Sequence, residues 1–208
     1  MHYYTLGEIP HKRHTQFRKK DGSLYSEQLF STEGFSDLYS ILYHHNPPTQ
    51  IVQVDEPFSF AAKTIHDKQL KHRCLKGFNI KPDPDYLKSR KPVLVNEDCK
   101  ISLAAPTQSM NSYFFKNADA DEVVFMHQGN GILKSIYGQI RFSYGDYLVI
   151  PRGTIYQFHF DGADNRLMIV ESSGPITFPT RYRNSFGQLL EHAPFCERDI
   201  RKPQNLVT

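Results

Sequence analysis

The sequence is divided by closely spaced turn signals, and this feature limits the folds open to the chain more than any other. Segments such as KKDG, STEGF, HHNPP, HQGNG, SYGDY, IPRG and SSGP recur at short intervals. The runs between them are rich in β-branched and aromatic residues, as expected of strands. The clearest are 51–54, 93–95, 123–126, 131–142, 147–150 and 167–171. Many short strands at this spacing predict an all-β sandwich or barrel.

Helical signals are few. Residues 67–78 place Leu70, Cys74 and Phe78 four residues apart, which fits either a short helix or a charged strand and loop. One helical turn is predicted at 188–192. The segment 131–151 reads as a meander, in which 147–150 form a buried strand.

Composition excludes several classes of protein. The 208 residues carry a net charge of only +3, and the basic run 11–22 lacks the interleaved aromatic residues of a single-strand nucleic-acid platform. No apolar stretch has the length of a membrane span, and the N-terminus lacks the apolar run of a signal peptide. We therefore expect a cytoplasmic protein without nucleic-acid or membrane partners. Three cysteines without a C-x-x-C pair predict reduced, buried thiols.

One motif stands out in the segment GDYLVIPRGTIY, which runs from Gly145 to Tyr156. A glycine, then P-x-G at 151–153 and a residue three positions later resembles the second conserved motif of the cupins, where that last residue is histidine. Glu122 and Gly129 have the separation of the glutamate and glycine of the first cupin motif. Here Tyr156 stands at the third histidine position.

The other two histidine positions of the cupin motif are also changed. They fall on Phe115 and Asn117 or, one residue later, on Lys116 and Ala118. An iron or manganese site needs several nitrogen and oxygen ligands that converge on one point. We therefore expect no metal in this barrel. Tyr156 would fill the lumen with its hydroxyl hydrogen-bonded, and Glu122 would be a rim or paired carboxylate. His127 and His159 read as surface or satisfied core histidines.

A longer resemblance covers much of the chain. The segments HKRHTQF, DGSLYSEQLFSTEGFSDLYSILYHHNPPT, DEVVFMHQGNGIL, YGDYLVIPRGTIYQF and SFGQLLEHAPFCERDIRKP are similar to the N-terminal portion of homogentisate 1,2-dioxygenase in its shorter bacterial form. The resemblance implies an Fe(II) enzyme of tyrosine and phenylalanine catabolism, which opens the ring of homogentisate with O2 to give maleylacetoacetate. It also implies trimers and hexamers for the full-length enzyme. The family's iron ligands and catalytic histidine belong to a C-terminal cupin, so no catalytic or metal residue is expected in this chain.

The predicted fold is a cupin-like double-stranded β-helix with a β-rich N-terminal extension. We expect the extension and arm at 1–100, the barrel core at 101–178, and an irregular segment at 179–208 that leads towards a C-terminal catalytic cupin. The basic arm at 11–20 is expected to serve subunit contacts. The apolar residues Leu189, Leu190, Phe195 and Ile200 suit a surface that packs on a partner or that closes the barrel's own end.

Two other functions stay open on the sequence alone. One is a metal-free cupin that acts as a small-molecule binding or scaffold module. Its lumen would be lined by some subset of five aromatic residues: Tyr137, Phe142, Tyr147, Tyr156 and Phe158. The other is a sugar isomerase or epimerase with a histidine and tyrosine acting across the lumen. Tyr156 and His159 are three residues apart and so project to opposite faces of a strand, which disfavours the second function.

Overall fold

The computed structural model describes residues 16–59, 61–65 and 71–206. The described residues divide into a smaller unit, up to residue 61, and a larger unit, from residue 62 onward. No helix within the described ranges is long and apolar enough to span a bilayer.

The smaller unit is built on one antiparallel hairpin. Strand β1 (Ser26–Glu33) pairs with β2 (Ser36–His44), and Gly34 turns the chain with a φ of +57°. The predicted strand at 51–54 was wrong, because these residues are solvent-exposed and pair with no strand in the described part of the chain. Residues 11–15 of the basic arm lie outside the described residues. Arg18, in the described part of the arm, donates to the carbonyl of Gly22 at 2.8 Å.

The larger unit is a barrel of two antiparallel sheets, which confirms the predicted fold class. The five-stranded sheet has the order β3-β4-β11-β6-β9, and the four-stranded sheet has the order β5-β10-β7-β8. Its strands are β3 (Lys91–Val95), β4 (Cys99–Ala104), β5 (Phe115–Lys116), β6 (Asp121–Gln128), β7 (Gly131–Ser135), β8 (Gly138–Phe142), β9 (Tyr147–Ile150), β10 (Ile155–Phe160) and β11 (Arg166–Ser172).

Alternating burial along each strand fixes which side chains enter the barrel. On β6 the buried residues are Glu122, Val124 and Met126, and β11 buries Leu167, Ile169 and Glu171 in the same way. Since successive strand residues point to opposite faces, the residues between them lie on the outer face of the sheet. Two glutamates therefore occupy positions that the pattern reserves for the interior.

Glycines stand at three turns of the barrel. Gly138, Gly145 and Gly153 have φ values of +113°, +87° and +82°, which L side chains rarely adopt. Gly153 completes the P-x-G turn before β10, and its amide donates to the carbonyl of Asn117 at 2.7 Å. This turn positions Tyr156 on the inner wall one strand residue after β10 begins.

Helical structure is confined to short segments. The α-helix α1 (Tyr86–Ser89) begins where the Asp85 carboxylate caps the amide of Lys88, and its residues Tyr86 and Leu87 enter the core. Asp67–Leu70 lies outside the described residues, but 71–76 are irregular and only Gly77–Asn79 forms a 3₁₀ turn. The helical turn expected at 188–192 was wrong, since Leu189 makes an isolated bridge with Arg183 instead.

The three cysteines are free thiols, but the expectation that they are buried was wrong. Cys74 is exposed, and Cys99 and Cys196 are half-buried. At the C-terminal end, Phe195 stacks on Phe178 with ring centroids 5.1 Å apart, whereas Leu190 and Ile200 stay 43% and 38% exposed. The C-terminal apolar residues are thus only partly covered by the larger unit.

The close approach of β7 and β10 gives a stability prediction. A Cβ at Gly131 would lie 2.1 Å from the backbone carbonyl oxygen of His159 and 2.9 Å from the Phe142 ring. Because a backbone oxygen cannot swing aside, we expect Gly131→Ala to cost about 2–3 kcal/mol of unfolding free energy in urea denaturation. Gly162→Ala is the matched control, since its Cβ meets nothing within 4 Å. Equal midpoints for the two variants would contradict the close packing of β7 on β10.

Candidate functional site

The two cupin-motif residues meet inside the barrel. Glu122 on β6 and Tyr156 on β10 are both fully buried. The Tyr156 hydroxyl donates to Glu122 Oε2 at 2.7 Å. Glu122 is therefore a paired, buried carboxylate rather than a rim residue, and the tyrosine stands beside it in the lumen.

A residue that the sequence reading missed completes the pair. Arg90 Nη1 donates to Glu122 Oε1 at 2.8 Å, and Arg90 Nη2 lies 3.0 Å from Glu171 Oε2. The arginine directly follows α1, where its extended backbone (φ −68°, ψ 122°) leads the chain into β3. A guanidinium holds two carboxylates in a fixed geometry, which suits it to a buried ion pair.

The network continues through the second carboxylate. Glu171 Oε2 lies 2.8 Å from Lys100 Nζ, and Glu171 Oε1 accepts from Asn117 Nδ2 at 3.0 Å. Two carboxylates and two cationic side chains thus meet, so their formal charges cancel. Buried charges are tolerated when they are paired in this way. We call the set Arg90, Lys100, Asn117, Glu122, Tyr156 and Glu171 the lumen network.

The structure distinguishes the two ways of aligning the first cupin motif. Phe115 is opposite Tyr156 in the β5–β10 register, with ring centroids 5.6 Å apart, and Asn117 joins the lumen network through Glu171. Lys116 and Ala118 are exposed. Phe115 and Asn117 are therefore the residues that stand at the histidine positions of the motif.

Aromatic rings surround the guanidinium of Arg90. Its carbon lies 5.6 Å from the ring centroid of Tyr86 and 5.9 Å from that of Phe115. Burial raises the pKa of Tyr86 to about 12, and burial next to Tyr86 and Glu122 raises the pKa of Tyr156 well above its usual value. Both phenols are therefore held in their neutral form at physiological pH.

This set of side chains does not fit the Fe(II) that cupin dioxygenases use. Such a site needs two imidazoles and a carboxylate with open positions. Here Phe115, Asn117 and Tyr156 stand where imidazoles would, and both oxygens of Glu122 are taken by protein donors. Across 16–59, 61–65 and 71–206, no group of three or more His, Cys, Asp or Glu side chains could hold a metal ion.

The two histidines singled out in the sequence lie away from the lumen network. His127 is on the outer face of the five-stranded sheet, with its ring 4.8 Å from that of Phe78. His159 shares a hydrogen bond of 2.6 Å with Gln157, and burial together with Lys134 lowers the pKa of its ring. Neither histidine contacts Tyr156, so an acid–base pair across the lumen is not formed.

The lumen itself is filled with side chains. Of the five aromatic residues considered for its lining, Phe142, Tyr156 and Phe158 are fully buried, and the rings of Phe142 and Tyr156 each contact that of Phe158 edge to face. Tyr137 is half-buried, and Tyr147 points outward with 65% of its surface exposed. The inner residues thus form a packed core at the position where larger barrels hold a ligand.

Comparisons with known proteins agree with the resemblance noted in the sequence. Residues 86–181 match the family described as homogentisate 1,2-dioxygenase N-terminal. A protein of Saccharolobus solfataricus named "Putative dioxygenase" is 38% identical over 201 residues, which are 97% of this chain and 52% of that protein. The chain thus spans about half the length of the curated relative it matches. The resemblance to the N-terminal part of this enzyme is confirmed, and the chain is a dioxygenase-related cupin.

Solved structures of similar shape are more distant. KdgF from Halomonas sp. is 19% identical with a TM-score of 0.37, and covers 41% of this chain and 78% of its own. A cupin-2 domain protein from Shewanella frigidimarina is 21% identical with a TM-score of 0.36, and covers 40% and 79%. Because these TM-scores are low, we assign the fold from the strand pairing in this chain and not from these structures.

Proposed function

We propose that this chain is the N-terminal cupin part of an Fe(II)- and O2-dependent dioxygenase that opens the ring of homogentisate to give maleylacetoacetate. In this proposal the iron ligands lie in a second cupin that the chain does not contain. The family match over residues 86–181 and the relative of about twice the length support it. Cytoplasmic location, a role in tyrosine and phenylalanine catabolism, and trimers or hexamers of the longer enzyme belong to the same proposal.

The observation that carries the proposal is the state of Glu122. Within 16–59, 61–65 and 71–206 it is the one carboxylate at a cupin ligand position, and Arg90 and Tyr156 occupy its two oxygens at 2.8 and 2.7 Å. Freeing either oxygen for a metal would leave a buried donor without its acceptor, which costs about 1–3 kcal/mol. The carboxylate therefore serves structure, and ring opening needs ligands from elsewhere.

The lumen network holds three parts of the fold in place. Arg90 connects the end of α1 to β6 through Glu122 and to β11 through Glu171. Tyr156 adds β10 of the opposite sheet by its bond to Glu122. The network thus fixes the helix and both sheets in one arrangement, as a scaffold for a catalytic half requires.

A metal-free binding module remains the alternative function. The packed rings of Phe142, Tyr156 and Phe158 occupy the barrel centre, so a lumen ligand would have to displace core side chains. The geometry therefore favours the dioxygenase scaffold over a lumen binding protein.

Iron content and oxygen consumption test the proposal together. After anaerobic loading with Fe(II) and desalting, we expect far less than one iron per chain by elemental analysis. In an oxygen electrode with homogentisate, uptake by the 208-residue chain should equal the iron-only blank. The longer Saccharolobus relative is the positive control and should bind iron and consume oxygen with homogentisate.

Two outcomes would contradict the proposal. Stoichiometric iron in this chain that is lost in Glu122→Gln would place the metal site in the lumen after all. If the longer relative bound iron but consumed no oxygen with homogentisate, the assigned substrate would be wrong. Each outcome identifies a different part of the proposal as the error.

A further inference from the structure

The outer face of the five-stranded sheet carries an apolar row that crosses four strands. Leu103 pairs with Met168, Met168 with Phe125, and Phe125 with Tyr147. Antiparallel sheets usually present polar side chains on a face that is turned to solvent. An apolar row in this position marks a surface that binds something.

A chain segment turns the row into a groove. The 3₁₀ turn Gly77–Asn79 passes beside β4, so close that a Cβ on Gly77 would lie 3.0 Å from Leu103 Cδ1. The groove between this segment and the sheet has a volume of about 320 Å³. That volume is at the lower end of the range for small-molecule sites. Phe78, Phe125 and Tyr147 line it with aromatic rings.

Two polar side chains interrupt the apolar lining. One is His127, whose ring contacts Phe78 edge to face at 4.8 Å. The other is Arg166, which stands at a β-bulge where the register of β11 against β6 shifts between Arg166 and Leu167. Arg166 shares the outer face of β11 with Met168, as the alternating burial of this strand requires.

The guanidinium of Arg166 has unused donor capacity. Its Nη1 donates to the carbonyl of Asn165 at 3.2 Å, and its Nη2 lies 3.6 Å from Asp164 Oδ1. Asp164 is 69% exposed at its side chain and also accepts from Gln128, so it neutralises the arginine only weakly. Arg166 Nε is buried and has no hydrogen-bond partner in the described part of the chain. Each of the two Nη nitrogens carries two hydrogens, and the contacts with Asn165 and Asp164 use one of each, so this partly exposed guanidinium can still donate to an anion in the groove.

We propose that this groove binds a small aromatic carboxylate, with its ring against Phe125, Phe78 and Tyr147 and its carboxylate on Arg166. One guanidinium with remaining donors matches one carboxylate, and the apolar aromatic lining suits a planar ring. The site lies on the opposite face of β6 from Glu122 and shares no residue with the lumen network. Homogentisate is itself an aromatic carboxylate, but the test below uses neither iron nor turnover, so a negative result would leave the proposed dioxygenase function standing.

Benzoate and benzamide are the probes, because they have the same shape and differ in charge. Titration of the full chain is followed by the NMR signal of the ¹³C-labelled methyl group of Met168, which lies in the groove. We expect saturable shifts with benzoate, with a Kd on the order of 1 mM for so few atoms. Benzamide should bind about tenfold more weakly, since a charge-assisted bond is replaced by a neutral one.

Matched variants separate the charge from the apolar lining. Arg166→Gln should bring benzoate down to the affinity of benzamide, whereas Arg181→Gln, an exposed arginine outside the groove, should leave both unchanged. Phe78→Ser, at a residue that is 58% exposed, should weaken both probes alike without unfolding the barrel.

Several results would overturn this proposal. Equal affinity for benzoate and benzamide would show that the groove does not recognise the carboxylate. Shifts that do not saturate would show that the groove is not a binding site. Shifts at the buried methyl of Met126 without shifts at Met168 would place binding in the lumen. Concentration-dependent self-association that Phe78→Ser abolishes, without probe binding, would make the groove an interface between copies.

Discussion

Replacing Arg90 by methionine is expected to lower the free energy of unfolding by about 3–5 kcal/mol. Methionine keeps the length and apolar stem of the side chain but removes its charge. Glu122 would then lose the donor on Oε1, and Glu171 would keep only Lys100 as a cationic partner. Both carboxylates stay buried, so the loss comes mainly from charge that is no longer compensated.

Urea unfolding followed by circular dichroism measures this effect as a shift of the midpoint at constant slope. Arg141→Met is the matched control, because Arg141 pairs with Asp161 but their side chains are 60% and 41% exposed. An exposed pair of this kind contributes less than about 1 kcal/mol. If the two variants lost equal stability, the lumen network would not be the stabilising unit that its burial indicates.

A combined variant distinguishes charge from packing. Adding Glu122→Gln and Glu171→Gln to Arg90→Met removes the two uncompensated charges while it preserves their shapes. We expect this triple variant to be more stable than the single Arg90→Met variant, since breaking a buried pair costs more than replacing it. A triple variant that is less stable than the single one would mean that packing of Arg90 against Tyr86 and Phe115 dominates.

The barrel could be predicted from the sequence because its signals are local. Alternating burial and glycine turns are encoded within each hairpin. Tyr147–Ile150 was placed at its observed bounds, but the expectation of a buried strand was wrong, since Tyr147 and Val149 are exposed and only Leu148 and Ile150 are buried. The sequence left two possibilities for Glu122, a rim residue or a paired carboxylate. A glutamate within an apolar strand pattern requires either solvent or a cation. What the strand pattern could not supply was the identity of the cation.

Arg90 was missed because its partner lies 32 residues further along the chain. In the sequence it follows a lysine-containing turn and precedes KPVLV, which reads as a solvated position. The one local signal was Asp85 three residues before Lys88, the spacing of a helix cap, which would have predicted α1 and the direction of the chain after it. The strand wrongly predicted at 51–54 shows a second limit of the sequence. Residues with high β-propensity form a sheet only where a partner strand is available.

The barrel should lose stability steeply above pH 10, because its buried tyrosines resist ionisation. The pKa of Tyr86 is raised by burial from 10 to about 12, and that of Tyr156 is also raised well above 10. A group whose folded pKa exceeds its unfolded pKa contributes stability below the unfolded value and loses it as pH rises towards the folded one. Two pKa units correspond to about 3 kcal/mol for Tyr86, and Tyr156 adds to this.

Phenylalanine variants attribute this loss to individual hydroxyl groups. At pH 7, Tyr86→Phe should cost less than Tyr156→Phe, since among the described residues the buried Tyr86 hydroxyl makes no hydrogen bond of normal geometry. Tyr156→Phe should cost about 1–3 kcal/mol at pH 7, because Glu122 Oε2 loses its donor.

Between pH 9 and 12, urea midpoints of both variants should fall less steeply than those of the unmodified chain. Tyr144→Phe, at a residue that is 73% exposed, should fall as the unmodified chain does. Because lysines lose their charge in the same pH range in every variant, the difference between slopes isolates the tyrosines. Identical slopes in all four proteins would mean that the two phenols ionise without unfolding the barrel, and that the interior around Arg90 is open to water.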